Sequence, residues 1–136
     1  MPTENTPRYL VGSVMSGLVI AFMLFDAGMK LVPLDIVIKS TAELGYPPSP
    51  DLARGLGIVA LICTALYAFP RTAMLGAILL TAYMGGTVAT HLRVGDPLFT
   101  HILFGVYLAV LAWGGLYLRD VRIRALLPLR SPAADI

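Results

Sequence analysis

Four long apolar blocks, separated by short polar segments, dominate the pattern of hydrophobic and polar positions along the chain. Because about 20 consecutive helical residues cross the hydrocarbon core of a bilayer, the blocks predict membrane-spanning helices near residues 8–32, 51–69, 72–93 and 98–118. None of the blocks has the continuous polar face of a helix that lies on a membrane surface. Backbone groups in lipid must form hydrogen bonds within their own segment, so we expect each block to be helical.

Prolines and glycines predict where these helices begin and end. Ser49 followed by Pro50 is typical of an N-cap and a first helical position. Pro70 closes the second block, and residues 95–97 predict the turn before the fourth. Residues 34–50, between the first two blocks, interleave charged and apolar side chains. That pattern is compatible with a short helix lying on the membrane or partly re-entering it.

Composition narrows the class of protein. The chain has 136 residues, of which 57% are hydrophobic and 13% are charged, whereas an ordinary soluble domain carries about 25% charged residues. So few charges cannot cover so small a protein, which excludes a soluble monomer. The net charge of +2 is too small and scattered for nucleic-acid binding, and the lone Cys63 excludes an intramolecular disulfide. We predict an all-α fold, an integral membrane four-helix bundle, as a single transmembrane domain over residues 1–136.

Small residues spaced four positions apart predict where the helices touch one another. In lipid there is little hydrophobic drive between helices, so close approach of the backbones supplies the packing. This spacing occurs in the first block at Gly12 and Ser16 and in the second block at Ala60 and Thr64. The pattern favours a compact bundle.

The distribution of basic residues predicts how the bundle is oriented. With four spans, both termini share one side, which collects Arg8, Arg71, Arg119, Arg122, Arg124 and Arg130. The other side collects Lys30, Lys39, Arg54 and Arg93. By the positive-inside rule, both termini are predicted to lie in the cytoplasm, in a multi-pass protein of the cell inner membrane.

The polar residues that could bind a ligand or take part in a reaction gather at the opposite, outer ends of the predicted helices. Asp26 and Lys30 are four apart and therefore share a helix face. Tyr83, Thr87 and His91 form a polar stripe on the third helix. We predict a ligand-binding site at the outer mouth of the bundle, formed by Asp26, Lys30, Thr87, His91, Arg93 and His101.

Alternative interpretations of these residues remain open. Asp26 and Lys30 could form an interfacial ion pair that ends the span, because an unpaired charge near lipid is costly. His91 and His101 could serve in proton transfer or ligand binding, or simply form hydrogen bonds at the interface. Their spacing lacks the pattern of a metalloenzyme, so no metal site is predicted.

Five stretches resemble the DoxX-like family of small bacterial membrane proteins. The first is LLTAYMGGTVATHLRVGDP, and the others are DAGMKL, LGYPPSPDLARGLGI, YAFPRTAMLGAILL and WGGLYLRDVRIRALLPLR. The resemblance runs in order along the chain, from about Leu18 to Arg130, without large gaps. The resemblance is specific for the family and not for an activity.

The resemblance implies a four-helix membrane protein, and the better-known relatives are membrane subunits linked to thiosulfate oxidation with quinone as acceptor. The family pattern marks Gly28, Lys30, Pro70, Arg71, Gly85, Gly86, His91 and Arg93. Many members carry an acid within the second span. Ala60 stands there in this chain, so we do not expect a function that depends on that acid.

Two hypotheses of different classes follow. In the first, the protein is a redox-associated membrane subunit that binds a quinone or a similar lipid-soluble molecule at the outer mouth of the bundle. In the second, it is a non-enzymatic membrane component that binds or organises a partner protein. A quinone is the one cofactor considered. The partners considered are the lipid bilayer, a membrane or redox protein, and a second copy of the chain. The sequence leaves open whether the protein catalyses a reaction.

Overall fold

The computed structural model describes residues 6–32 and 34–127, and helices account for most of this part of the chain. Arg130, which contributes to the predicted orientation, lies outside the described residues. A π-helical turn, Leu98–Ile102, leads into the fifth helix. The helices in chain order are α1 (Thr6–Leu31), α2 (Asp35–Glu43), α3 (Pro50–Ala68), α4 (Ala73–Val94), α5 (Phe104–Arg119) and α6 (Val121–Leu126). The all-α prediction is confirmed.

Four of these segments are long and apolar enough to cross a membrane. They are Thr6–Leu31, Pro50–Ala68, Ala73–Val94 and Leu98–Arg119, the last comprising the π turn and α5. Large apolar side chains such as Leu18, Ile62 and Val110 are exposed along the outside of the bundle. Lipid tails cover such an apolar surface without cost, whereas its exposure to water would be unfavourable. The fold is therefore an integral membrane four-helix bundle, as predicted.

The four spans form a ring. α1 packs against α3 and α5, and α4 packs against the same two helices, so α1 and α4 face each other across the diagonal. Because the spans alternate in direction, the start of α1 and the end of α5 lie at one end, which we call the terminal end. The other end, where α2 lies, is called the α2 end.

The residues predicted to begin and end helices do so at the start of α3 and the end of α4. Ser49 is the N-cap of α3, and its side chain accepts a hydrogen bond from the backbone of Leu52 at 3.4 Å, with Pro50 at the first helical position. α4 ends at Gly95, whose φ of 77° lies in the left-handed region that favours glycine. That glycine turns the chain so that the π turn and α5 return alongside α4.

The terminal half of the bundle is closely packed around Tyr67 of α3. This side chain is fully buried. Its hydroxyl donates to the carbonyl oxygen of Ala112 at 2.7 Å and lies 2.8 Å from the Ser16 hydroxyl. The hydrogen bonds therefore connect α1, α3 and α5 at one point, which satisfies polar groups that would be costly to bury alone.

Glycines allow the backbones to approach in this half. A Cβ atom on Gly12 of α1 would lie 2.7 Å from the carbonyl oxygen of Gly115 in α5. A Cβ atom on Gly76 of α4 would collide with the backbone of Tyr67. The small residues that the sequence singled out, Gly12 and Ser16 on α1 and Ala60 and Thr64 on α3, are all buried.

Candidate ligand-binding cavity

A cavity of about 630 Å³ opens at the α2 end, in the space between α1 and α4. Pockets for small ligands commonly measure about 300–1,000 Å³, so the volume suits a small molecule. Its deep walls are apolar and come from four spans, with Phe22, Met23, Leu56, Met84, Phe104 and Leu108 among the lining residues.

Polar groups line the cavity from α1, α4 and the turn that follows α4. The sequence-predicted residues Asp26, Lys30, Thr87, His91 and His101 all line it, together with Tyr83 and Asp96. The cavity thus combines apolar walls with convergent polar side chains, which is the usual composition of a small-molecule site.

The Lys30 ammonium is the centre of the polar group on α1. Its Nζ donates to Asp26 Oδ2 at 2.5 Å, one helical turn away, and to the Tyr83 hydroxyl of α4 at 3.0 Å. The Lys30 side chain is 19% exposed. An ammonium has three hydrogens, and these two bonds leave one of them for a ligand. Asp26 meanwhile balances the charge that α1 brings into the bundle.

His91 is oriented by Asp96 on the α4 side of the cavity. Its Nδ1 lies 2.6 Å from Asp96 Oδ2, and the Asp96 backbone N–H donates to the His91 carbonyl oxygen at 3.1 Å. The turn at Gly95 makes this contact, because it brings position 96 back over the last turn of α4. An ionised carboxylate only accepts hydrogen bonds, so the tautomer that fits an ionised Asp96 has its proton on Nδ1. In the neutral ring, Nε2 is then free to accept a hydrogen bond from a ligand.

His101 lies beside His91 across the turn that follows α4. The two ring centroids are 5.8 Å apart, and the ring planes meet at 62°. His101 Nδ1 lies 2.8 Å from the Thr100 hydroxyl. Within residues 6–32 and 34–127, no three His, Cys, Asp or Glu side chains cluster closely enough to hold a metal ion.

Thr87 and Arg93 occupy different places. Thr87 lines the cavity, and its hydroxyl donates to the Tyr83 carbonyl oxygen at 3.2 Å, so its lone pairs remain available. Arg93 is outside the cavity lining. Its Nη2 donates to the Leu44 carbonyl oxygen at 2.6 Å, just beyond α2.

The contribution of α2 to the cavity was missed at the level of sequence. Val37, Ser40, Thr41 and Leu44 line the cavity together with Tyr46. Their spacing of three, four and seven residues is that of one helix face, and this spacing was the available sequence signal. It shows which side of α2 faces inward, although it does not show what that side covers.

These features define a multi-pass membrane protein with a ligand-sized cavity at one end of its helical bundle. The model of the DoxX-like family matches residues 14–115, a range that includes all of the polar cavity residues named above. The chain therefore belongs to the DoxX-like family. No curated protein and no solved structure matches it.

Proposed function

We propose that the cavity binds a quinone or a similar lipid-soluble molecule, and that the protein is a redox-associated membrane subunit. The observation that carries this proposal is the division of the cavity into apolar walls and a polar group at the α2 end. A molecule with an apolar tail and an oxygen-bearing head is complementary to that arrangement.

The polar head of the ligand binds between α1 and α4. Lys30, with one donor left, binds a carbonyl oxygen or an anionic oxygen of the head. His91, with Nε2 left as an acceptor, binds a hydroxyl group. A quinone presents carbonyl oxygens and the corresponding quinol presents hydroxyls, so the two sides of the cavity suit both forms.

Thr87 and His101 complete the polar group, and Asp26 balances the charge of Lys30 when no ligand is present. The tail lies along the apolar walls, against side chains such as Phe22 and Phe104. These two rings meet edge to face at 5.0 Å. The contacts expected of the tail are therefore nonpolar.

The test is ligand retention by the protein purified in mild detergent. Native mass spectrometry, an absorbance spectrum and a lipid extract together report the bound molecule, a partner protein and a second copy. We expect wild type to carry a quinone or to bind an added short-chain ubiquinone. His91→Ala should weaken retention about twofold to tenfold, because one hydrogen bond contributes about 0.5–1.5 kcal/mol.

Arg54→Ala is the matched control. Arg54 is also a cation near the α2 end, but it pairs with Asp51 at 3.5 Å on the exposed surface and does not line the cavity. Equal retention by wild type and His91→Ala would contradict the assignment of the head-binding site. A protein that carries no quinone, binds none, and purifies with a stable partner would favour the alternative function of organising that partner.

The orientation is part of the proposal, with the α2 end facing outward across the inner membrane and both termini in the cytoplasm. The dense basic segment at Arg119, Arg122 and Arg124 supports this side as cytoplasmic. Reporter fusions at residue 136 and within residues 38–46 test it. The fusion at residue 136 uses a reporter that is active only in the periplasm. Activity of that fusion would contradict the proposed orientation.

A further inference from the structure

The segment from Asp35 to Tyr46 covers the cavity at the α2 end. Val37, Thr41, Leu44 and Tyr46 line the cavity on their inner side. Ile36, which precedes Val37 and lies about 100° from it around the axis of α2, is 65% exposed. This short helix therefore contributes one face to the cavity and leaves an adjoining face exposed.

Few contacts hold α2 to the bundle. Val37 is the residue of α2 that is buried, and α3 is the helix against which α2 mainly packs. A helix that buries so little apolar surface gains little from packing, and such elements open at low free energy. The described spans, by comparison, each bury several residues.

Two hydrogen bonds tie the end of this segment to α4. Arg93 Nη2 donates to the Leu44 carbonyl oxygen at 2.6 Å, and the Tyr46 hydroxyl lies 3.2 Å from the Thr90 hydroxyl. The bond from Arg93 is charge-assisted and therefore the stronger of the two. The Leu44 carbonyl also lies at the C-terminal end of α2, where a cation is favoured by the helix dipole.

Gly45 allows the guanidinium of Arg93 to reach this carbonyl. Its φ of 88° lies in the left-handed region, and a Cβ atom there would lie 2.9 Å from Arg93 Nη2. A larger residue at this position would strain the backbone and displace the guanidinium. The turn after α2 and the contact with Arg93 thus depend on the same residue.

We infer that α2 is a movable cover over the cavity and that Arg93 is the positioning residue that holds it closed. Opening of α2 exposes the space between α1 and α4 at the α2 end of the bundle. A lipid-soluble molecule then enters the cavity at that end. The role in admitting a ligand rests on the proposed function, whereas the movement of the cover does not.

A cysteine inside the cavity tests the cover without any ligand. Thr87→Cys in a Cys63→Ala background places one thiol among the lining residues, and its rate of reaction with N-ethylmaleimide measures access. We expect Arg93→Ala to raise this rate about fivefold or more, because reaction follows the population of the open state. Gly45→Ala should raise it in the same direction. Arg93→Lys should restore part of the protection, since a lysine retains a charged donor.

Arg54→Ala is the control for loss of a cation near the same end, and its rate should match that of the parent. A second reporter is the native Cys63 in chains that keep Thr87; this thiol is buried in α3 and measures general loosening. Unchanged Thr87→Cys rates in both Arg93→Ala and Gly45→Ala would overturn the inference. Equal acceleration at both reporters would overturn it too, because the bundle as a whole would then have loosened. Because no quinone takes part, failure of the retention experiment leaves this result intact, and the reverse also holds.

Discussion

The two ends of α4 use glycine for opposite purposes. At the terminal end, Gly76 of α4 touches the backbone of Tyr67, and Gly12 touches α5. Further along α4, a Cβ atom on Gly85 or Gly86 would meet nothing within 4 Å, and Gly86 lines the cavity. On α4, glycine thus allows close packing in the terminal half and leaves space at the cavity, whereas Gly57 of α3 and Gly105 of α5 pack closely near the α2 end as well.

Polar groups differ in the same way. In the terminal half, the Tyr67 hydroxyl is bonded to two partners from two other helices, Ser16 and Ala112. At the α2 end, Lys30 donates to Asp26 and Tyr83 and has one hydrogen left, and His91 contacts Asp96 through Nδ1 and has Nε2 left. The Tyr67 hydroxyl, with both bonds made, holds helices together, whereas a side chain at the cavity with a position left is available for binding. Not every polar atom of the terminal half is paired: among the described residues, Arg119 Nε and Nη2 are buried without a hydrogen-bond partner.

The largest effect is expected from Gly76→Ala. The added Cβ collides with backbone atoms of Tyr67, which cannot rotate away. Overpacking of this kind costs about 1–3 kcal/mol or more, so the midpoint of unfolding in detergent should fall steeply. Gly85→Ala adds the same atom to the same helix in open space and should be neutral or stabilising, because alanine favours helix over glycine by about 1 kcal/mol. Similar midpoints for the two variants would contradict the contrast between the halves.

Tyr67→Phe should destabilise the bundle by about 1–3 kcal/mol, because buried polar groups on α1 and α5 lose their partner. Quinone retention per folded molecule should not change, since Tyr67 is outside the cavity lining. Unfolding in detergent and native mass spectrometry measure the two effects separately. A loss of retention without a loss of stability would connect Tyr67 to the binding site instead.

The paired replacement Lys30→Met with Asp26→Asn should lower quinone retention and leave stability nearly unchanged, the reverse of Tyr67→Phe. Both charges of the ion pair disappear together, so no unpaired charge is left near lipid, and stability should change by less than about 1 kcal/mol. Retention of a quinone should fall by several-fold, because the free donor of Lys30 is lost. If stability collapsed while retention held, the pair would serve only to end the span.

The smallest effect is expected at Asp120, outside the spans. Hydrogen bonds from Arg122 hold the pKa of the Asp120 carboxyl below its ordinary value, and Asp120 also caps α6 by accepting from the Arg122 backbone at 2.9 Å. The carboxylate thus stabilises α6 above the unfolded-state pKa, and this contribution is lost as pH falls through the lower folded-state pKa.

Amide exchange of α6 tests this contribution. Asp120→Asn should exchange slightly faster than wild type near pH 7, and the difference should vanish in strong acid. A difference that persisted below the folded-state pKa would mean that the charge of Asp120 is not its cause. Arg122 is largely exposed, which is why this effect ranks below the others.

Much of the fold could be predicted because each span carries its own hydropathy and its own end signals. Ser49, Pro50 and Gly95 act within a few residues of their position, so their effect is visible in the sequence. The polar group of the cavity was also partly accessible. Thr87 and His91 share a face of α4 through their spacing, and Asp26 and Lys30 share a face of α1 in the same way.

The contacts between elements were harder to predict. Lys30 meets Tyr83 only because α1 and α4 face each other across the bundle, and a sequence pattern does not set that arrangement. The contact of Arg93 with Leu44 depends on where the segment after α1 folds back. Arg93 was grouped with the ligand-binding residues on position alone, and its bond to Leu44 became apparent only from the structure.

The π turn before α5 has a consequence for comparison within the family. Leu103 donates to the carbonyl oxygen of Leu98, five residues back, so this turn contains one residue more than an α-helical turn. Removing one residue would restore α-helical geometry and swing His101 by about 100° around the helix axis relative to α5. A relative that is one residue shorter here should therefore lack the contact between its two histidines. In an alignment, the length of this turn would be as informative as the identity of the residues within it.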